Sequence, residues 1–173
     1  MGEITIREAR EGDIERILAI AERGWNSAYA EFLSQETIDS AMTEWYDPDD
    51  VREYIRRSDT EYLVAEFDGN IVGYLNGGPT EKEHLASLWA IYVDPDYWGN
   101  GIGTTLLTEF EAFCRRESYD RIRIRVLAEN AVGTAFYEKR GYEVIEERET
   151  TVFGEETCEV IYTGTVDSKS DPA

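Results

Sequence analysis

Residues 93–103, Val-Asp-Pro-Asp-Tyr-Trp-Gly-Asn-Gly-Ile-Gly, leave the chain few ways to fold. Gly99, Gly101 and Gly103 separate two runs of different periodicity. Before them, Leu88 to Val93 is apolar and rich in strand formers. After them, Ile102, Leu106, Leu107, Phe110, Phe113 and Cys114 recur on one helical face. A strand that feeds a helix through such a loop presents the first helical N–H groups, which have no internal acceptors, at the positive end of the helix dipole. Glycine lets an anion approach those donors without a Cβ in the way. The loop therefore predicts a phosphate or pyrophosphate ligand. A P-loop would need Lys then Ser or Thr after its last glycine, and here Thr104-Thr105 follow directly. A dinucleotide fingerprint spaces its glycines differently and usually opens the chain, whereas this loop comes late.

Downstream, Arg121 to Leu127 alternates strictly and reads as a strand. Asn130 then opens a helix that runs to Arg140 and stops at Gly141. Two segments carry a family pattern. Trp98, Gly101 and Gly103 match a loop of form Q/R-x-x-G-x-G/A, and Asn130, Phe136, Tyr137, Lys139, Gly141 and Tyr142 match Asn…Phe-Tyr-x-Lys-x-Gly-aromatic. In this order and separation they make the chain resemble the GNAT family of acyl-CoA-dependent N-acyltransferases over roughly residues 4–165. The specific motifs lie in the second half. Trp98 stands where the pattern has Gln or Arg, and Asn100 where a basic residue is common.

The resemblance implies an α+β fold. Its mixed, largely antiparallel sheet is flanked by helices and splayed between the glycine-loop strand and the next strand. Acetyl-CoA would enter that cleft and give its acetyl group to a primary amine, a small molecule or a peptide, in a ternary complex. The residues it assigns to the cofactor are Ile91, Tyr92 and Val93 on the strand, and Trp98, Gly99, Asn100, Gly101, Ile102, Gly103 and Thr104 in the loop. Asn130, Phe136, Tyr137 and Lys139 follow on the later helix. Backbone N–H groups of Ile91 to Val93 would stabilise the oxyanion, and Tyr137 would protonate the leaving thiolate. Lys139 and Arg140 suit either the cofactor 3′-phosphate or the helix C-terminal dipole. Relatives often carry a Glu early in the glycine-loop strand, where this chain has Ser87; Glu83 is the base expected instead, with Glu81 and the single histidine, His84, beside it. Trp25 and Tyr29, with Trp45 and Tyr46, suit an acceptor pocket or helix–sheet packing equally. A non-catalytic acyl-CoA-binding module of the same fold is the alternative that Ser87 leaves open. Family members often dimerise, so a homodimer is compatible with the resemblance.

Composition bounds the rest. At 173 residues and 42% hydrophobic, the chain suits one domain, taken as residues 1–166, with a polar tail over 167–173. Its 37 acidic and 17 basic residues give a net charge of −20, spread along the whole length. That distribution resembles the hydrated surfaces of salt-accumulating halophiles and argues against a nucleic-acid partner, which needs a basic footprint. No apolar run is long enough for a bilayer and no leader is evident, so a cytoplasmic protein without a membrane partner is expected. Cys114 and Cys158 fall in core-like patterns without metal-ligand spacing and read as buried, reduced thiols.

The remaining elements follow from local signals. A strand is expected over residues 4–7. Asp13 should cap a helix with Ile14, Ile17, Leu18 and Ala21 inward, interrupted at Gly24. A second helix should begin near Asp49 with Val51, Tyr54 and Ile55 inward. Tyr62 to Phe67 and Ile71 to Leu75 form a hairpin about Asp68-Gly69, residues 76–84 a polar loop, and two strands near 143–152 and 157–165 end the fold.

Overall fold

Two dipeptides turn the chain through the hairpins that frame its sheet. Asp68 and Gly69 both take positive φ, 53° and 84°, as do Phe153 and Gly154, 48° and 83°. These pairs suit the two-residue turns whose twist matches antiparallel strands. In the computed structural model, which describes residues 2–166, seven strands result. They are β1 (Ile4–Glu8), β2 (Glu61–Phe67), β3 (Asn70–Pro79), β4 (Leu85–Val93), β5 (Arg121–Leu127), β6 (Glu143–Val152) and β7 (Glu155–Thr165). They lie in the order β1-β2-β3-β4-β5-β7-β6, and only the β4–β5 pair is parallel.

The splay expected between β4 and β5 is present in the register. Pairing is confined to Leu85 to Leu88 against Arg121 to Ile124. There β4 bulges: Leu88 faces Gly77 and Ala90 faces Asn76, so Trp89 is the extra residue. Beyond it β4 stays paired with β3 through Val93, and its other edge is left open.

The helices take opposite faces. Helix α4 (Ile102–Arg116) buries its predicted face, Ile102, Leu106, Leu107, Phe110, Phe113 and Cys114, with Leu75, Leu88, Ile122 and Ile124 of the sheet. Each such side chain contributes roughly 1.5–3 kcal/mol by leaving water. Helix α5 (Ala131–Lys139) joins the same cluster through Tyr137. On the other face lie α1 (Ile14–Tyr29), α2 (Gln35–Trp45) and α3 (Pro48–Arg56), around Ile17, Ile20, Val64 and Tyr74 and a second cluster centred on Trp25, Tyr29 and Ile38.

Several expectations are corrected. Gly24 does not interrupt α1: a Cβ there would come within 2.5 Å of Tyr92 Cδ1, so the glycine makes room for a ring inside a continuous helix. Asp13 offers no cap to α1; its carboxylate turns back to Arg7 (2.8 and 3.0 Å) and to the Arg10 N–H (2.8 Å). Helix α2 has no counterpart in the sequence reading. Ser34 caps it by accepting from the Thr37 N–H, and Glu155, at the β6–β7 turn, accepts from Ser34 and Thr37. Tyr54 is exposed rather than inward. Strand β3 extends through Gly77 and Gly78, where a loop was expected, because Gly77 admits the Phe110 ring. Cys158 is exposed, while Cys114 is buried. The polar tail over 167–173 lies outside the described residues. No described helix is long and apolar enough to cross a membrane.

Candidate functional site

The glycine loop starts from a buried anchor. Asp94, 2% exposed, ends β4 and caps a short 3₁₀ turn over Pro95–Tyr97. Its carboxylate takes Arg23 at 2.5 Å and Arg16 at 3.2 Å, which ties the loop to α1. Gly99 and Gly101 have φ of 85° and 78°, and nothing lies within 4 Å of where their Cβ atoms would be. Backbone conformation, not crowding, selects glycine there. Gly103 differs: a Cβ would meet the Phe136 ring at 3.1 Å, so this glycine lets α4 close on α5. Trp98 staples the loop by donating its indole N–H to the Val93 carbonyl at 2.9 Å. The Asn100 side chain donates to the Tyr97 carbonyl at 2.9 Å and does not line the cleft. Gly101, in the left-handed conformation, caps α4 and leaves its first N–H groups facing outward.

Helix α5 supplies the opposite wall. Asn130 accepts from the Gly133 N–H at 2.9 Å and donates to the Tyr29 hydroxyl at 3.2 Å, joining α5 to α1 across the splay. The Arg140 guanidinium lies 3.7 Å from the Phe136 ring centre and donates to the Phe136 carbonyl and the Thr104 hydroxyl. Its Nε is buried without a partner. An orphaned cationic donor beside the α4 N-terminus fits a phosphate group. Lys139, expected in this role, is exposed and lies outside the cleft, because it is one position away on the helix.

Between these walls runs a cleft of about 530 Å³. Ile91, Tyr92, Val93, Trp98, Gly99, Gly101, Ile102, Gly103, Thr104, Asn130, Phe136 and Tyr137 line it, as do Tyr29, Arg125 and Arg140. Tyr137 is 7% exposed, and its hydroxyl makes no hydrogen bond among the described residues. Burial raises its pKa above that of an ordinary phenol, so it is protonated at neutral pH.

A second cavity, of about 650 Å³, lies between α1, α2, α3 and β4. Trp25, Tyr46, Tyr62 and Asn76 form its inner wall, and Trp45, Tyr54, Glu44, Asp50, Glu53 and Arg57 stand nearer the outside. Trp89, Ala90 and Tyr92 line both spaces. The two cavities thus meet along β4, where it has parted from β5. Tyr29 lines only the cleft and Trp25 only the second cavity.

The expected base is not at that meeting place. Glu83 is exposed and lines neither cavity; it precedes β4, whose stretch from Leu85 to Ile91 alone spans about 20 Å at about 3.3 Å per residue. His84 donates from Nδ1 to the Ser118 carbonyl (3.0 Å), and Glu81 pairs with Arg123 (3.2 Å). Ser87 is buried and donates to the Arg123 carbonyl at 3.3 Å. Sequence reasoning missed Asp94, for which the Asp-Pro step was a capping signal. It also missed Trp89 and the three carboxylates of the second cavity, whose grouping depends on α2.

A model described as "Acetyltransferase (GNAT) family" matches residues 24–142. The chain belongs to the GNAT acetyltransferase family. Among curated proteins it is similar to a spermidine N(1)-acetyltransferase of Thermoplasma acidophilum, 31% identical over 145 residues, covering 82% of this chain and 89% of the relative. Among solved structures it is similar to the PaiA N-acetyltransferase of the same organism in complex with coenzyme A. The TM-score is 0.82 at 29% identity, over 94% of this chain and 99% of the other. A ribosomal-protein-alanine N-acetyltransferase from Brucella melitensis gives a TM-score of 0.68 at 26% identity, over 93% and 99% of the two chains. The similarity to the two solved structures runs over nearly the whole of each chain, so the frame that carries the loop and Tyr137 here is a GNAT fold.

Proposed function

We propose that this GNAT protein transfers the acetyl group of acetyl-CoA directly to a primary amine, with both substrates bound. The observation that carries the reading is the meeting of two cavities of opposite character at Trp89 to Tyr92. The cleft presents the α4 N-terminus, Arg140 and Arg125, which suits an anionic donor. The second cavity presents three carboxylates against one cation, Arg57, whose charge Asp59 already pairs, which suits a cationic acceptor. A CoA-bound relative and one named for spermidine support the same division.

In this mechanism the α4 N–H groups and Arg140 hold the pyrophosphate region, and the open edge of β4 receives the arm that carries the thioester. The entering ammonium loses its proton to water in the open acceptor cavity. The amine nitrogen then bonds to the acetyl carbon as the carbon–sulfur bond breaks. Backbone N–H groups of β4 near Ile91 to Val93 stabilise negative charge on the oxygen. Tyr137 gives its proton to the departing sulfur and regains one from solvent, while the nitrogen, cationic once bonded to the acetyl carbon, releases its remaining extra proton to water in the open cavity.

The runner-up, an acyl-CoA-binding module without turnover, is favoured by one observation: Ser87, at the position where the family resemblance leads one to expect a Glu, is buried, donates to a backbone carbonyl and supplies no base. Thiol release from acetyl-CoA with a panel of amines separates the two. Tyr137→Phe keeps the ring and, because the hydroxyl has no protein partner, keeps the fold. Turnover should fall by about 10²-fold or more with CoA affinity nearly unchanged. Near-normal turnover would remove Tyr137 from the mechanism, and CoA binding by the wild type without turnover of any amine would establish the module.

A further inference from the structure

The second cavity is lined by three carboxylates and one cation, Arg57, which Asp59 pairs, so it carries more negative charge than one reacting amine could use. Glu44 stands on α2, and Asp50 and Glu53 on α3. None of the three has an ion pair or side-chain hydrogen bond among the described residues, although their neighbours Asp49 and Asp59 are paired with Arg52 and Arg57. The aromatic groups around them are exposed to an unusual degree: Trp45 by 52%, Trp89 by 40% and Tyr54 by 38%. Tyr54 and Trp89 meet edge-on at 5.5 Å between ring centres, and the Tyr54 ring already receives the Arg57 guanidinium at 5.4 Å. Deeper in the cavity, Trp25 is 7% exposed, and its indole N–H, directed toward the Tyr46 hydroxyl, completes no hydrogen bond.

We infer that this cavity binds the non-reacting ammonium groups of an extended aliphatic polyamine, with Glu44, Asp50 and Glu53 as the charge-recognising residues. The inference rests on the acetyl-transfer reading above and gives that reaction its substrate class. The attacking nitrogen must be neutral when it reaches β4, so it cannot balance carboxylates near the mouth. Their partner is a second positive charge on the same molecule. Aromatic faces attract alkylammonium groups and cover the methylenes between them. A cavity of this size encloses a flexible chain of drug-like dimensions. An amino acid, whose carboxylate lies beside its amine, is repelled by the same groups.

The test compares 1,6-diaminohexane with hexylamine, which differ by one terminal ammonium, at fixed ionic strength. For the wild type, kcat/KM for the diamine should exceed that for the monoamine by about 10-fold or more. In the triple variant E44Q/D50N/E53Q that ratio should fall to within about 3-fold of unity, chiefly through KM for the diamine. The side chains replaced hold no other residue, so the fold is kept; Glu53→Gln alone gives the same direction should the triple variant express poorly. A wild-type ratio near one, or a ratio unchanged in the variants, overturns the inference. If neither amine releases thiol, the amine panel above decides the acetyl-transfer reading separately. Calorimetric titration of the two amines into CoA-saturated protein then decides the cavity. Charge-dependent preference for the diamine, lost in the variants, sustains it, and equal binding of the two amines refutes it.

Discussion

Gly24→Ala tests whether the helix and the site are coupled through one ring. By helix propensity alone the substitution should stabilise α1 by about 1 kcal/mol. The structure predicts the opposite sign. The new methyl would lie 2.5 Å from Tyr92 Cδ1 and 3.1 Å from its Cγ, whereas carbon atoms rest at about 3.5–4.0 Å. The ring must therefore move by about 1 Å or the helix must lift. Neither is free, because Tyr92 packs against Tyr74 at 6.0 Å and its hydroxyl faces that of Tyr29 at 3.5 Å. Overpacking of this kind costs about 1–3 kcal/mol, so the net change is a loss of about 0–2 kcal/mol. For a chain of this length that lowers Tm by a few degrees. The larger effect falls on turnover. Tyr92 lines both cavities, so a displaced ring changes the space where they meet. A misplacement of about 1 Å at a reacting centre can cost 10²-fold, so kcat/KM for acetyl transfer should fall by at least about 10-fold. Thermal melting and thiol release on the same preparation measure both quantities. A variant that gains stability and keeps full activity would refute the seating of Tyr92 on Gly24.

Three further outcomes are expected. Gly101→Val places a β-branched residue at a φ of 78°, which distorts the loop and should weaken CoA binding by about 10-fold or more; unchanged affinity by calorimetry would reject the loop as the phosphate site. The hydrogen bond from Arg7 holds the Asp13 carboxyl below its ordinary pKa, so its contribution to stability is complete above the usual carboxylate range and is lost as the pH falls through the depressed native value. Asp13→Asn should therefore be less stable than the wild type at pH 7, with the gap closing below about pH 4, and denaturant titrations showing a gap independent of pH would contradict this. The −20 charge should make Tm rise from low to molar potassium chloride, as the Debye length shrinks from about 30 Å to about 3 Å, and a flat profile would remove the halophile-like reading.

Local chemistry made much of the donor side legible in the sequence. Glycine permits the positive φ that Gly99 and Gly101 take in the strand-to-helix turn, and a 3.6-residue apolar period can bury only one face of α4. Asp68-Gly69 sets a hairpin by its own turn preference, and Asn130 caps α5 with its own side chain. The acceptor side depended on groups far apart in the chain. Helix α2 has a weak apolar pattern of its own and is set by Glu155, more than a hundred residues away, which accepts from Ser34 and Thr37. Gly24 reads as a helix breaker until Tyr92 lies against it. Arg140 rather than Lys139 faces the cleft because the packing of Phe136 sets the rotation of α5. Glu44, Asp50 and Glu53 look like three more charges in an acidic chain, and only the folding of α2 and α3 over β4 gathers them around one cavity. Sequence alone determined the features whose energy is spent within one turn, one strand or one helix face. Tertiary structure decided which side chains share a space, because that depends on contacts between elements no local pattern encodes.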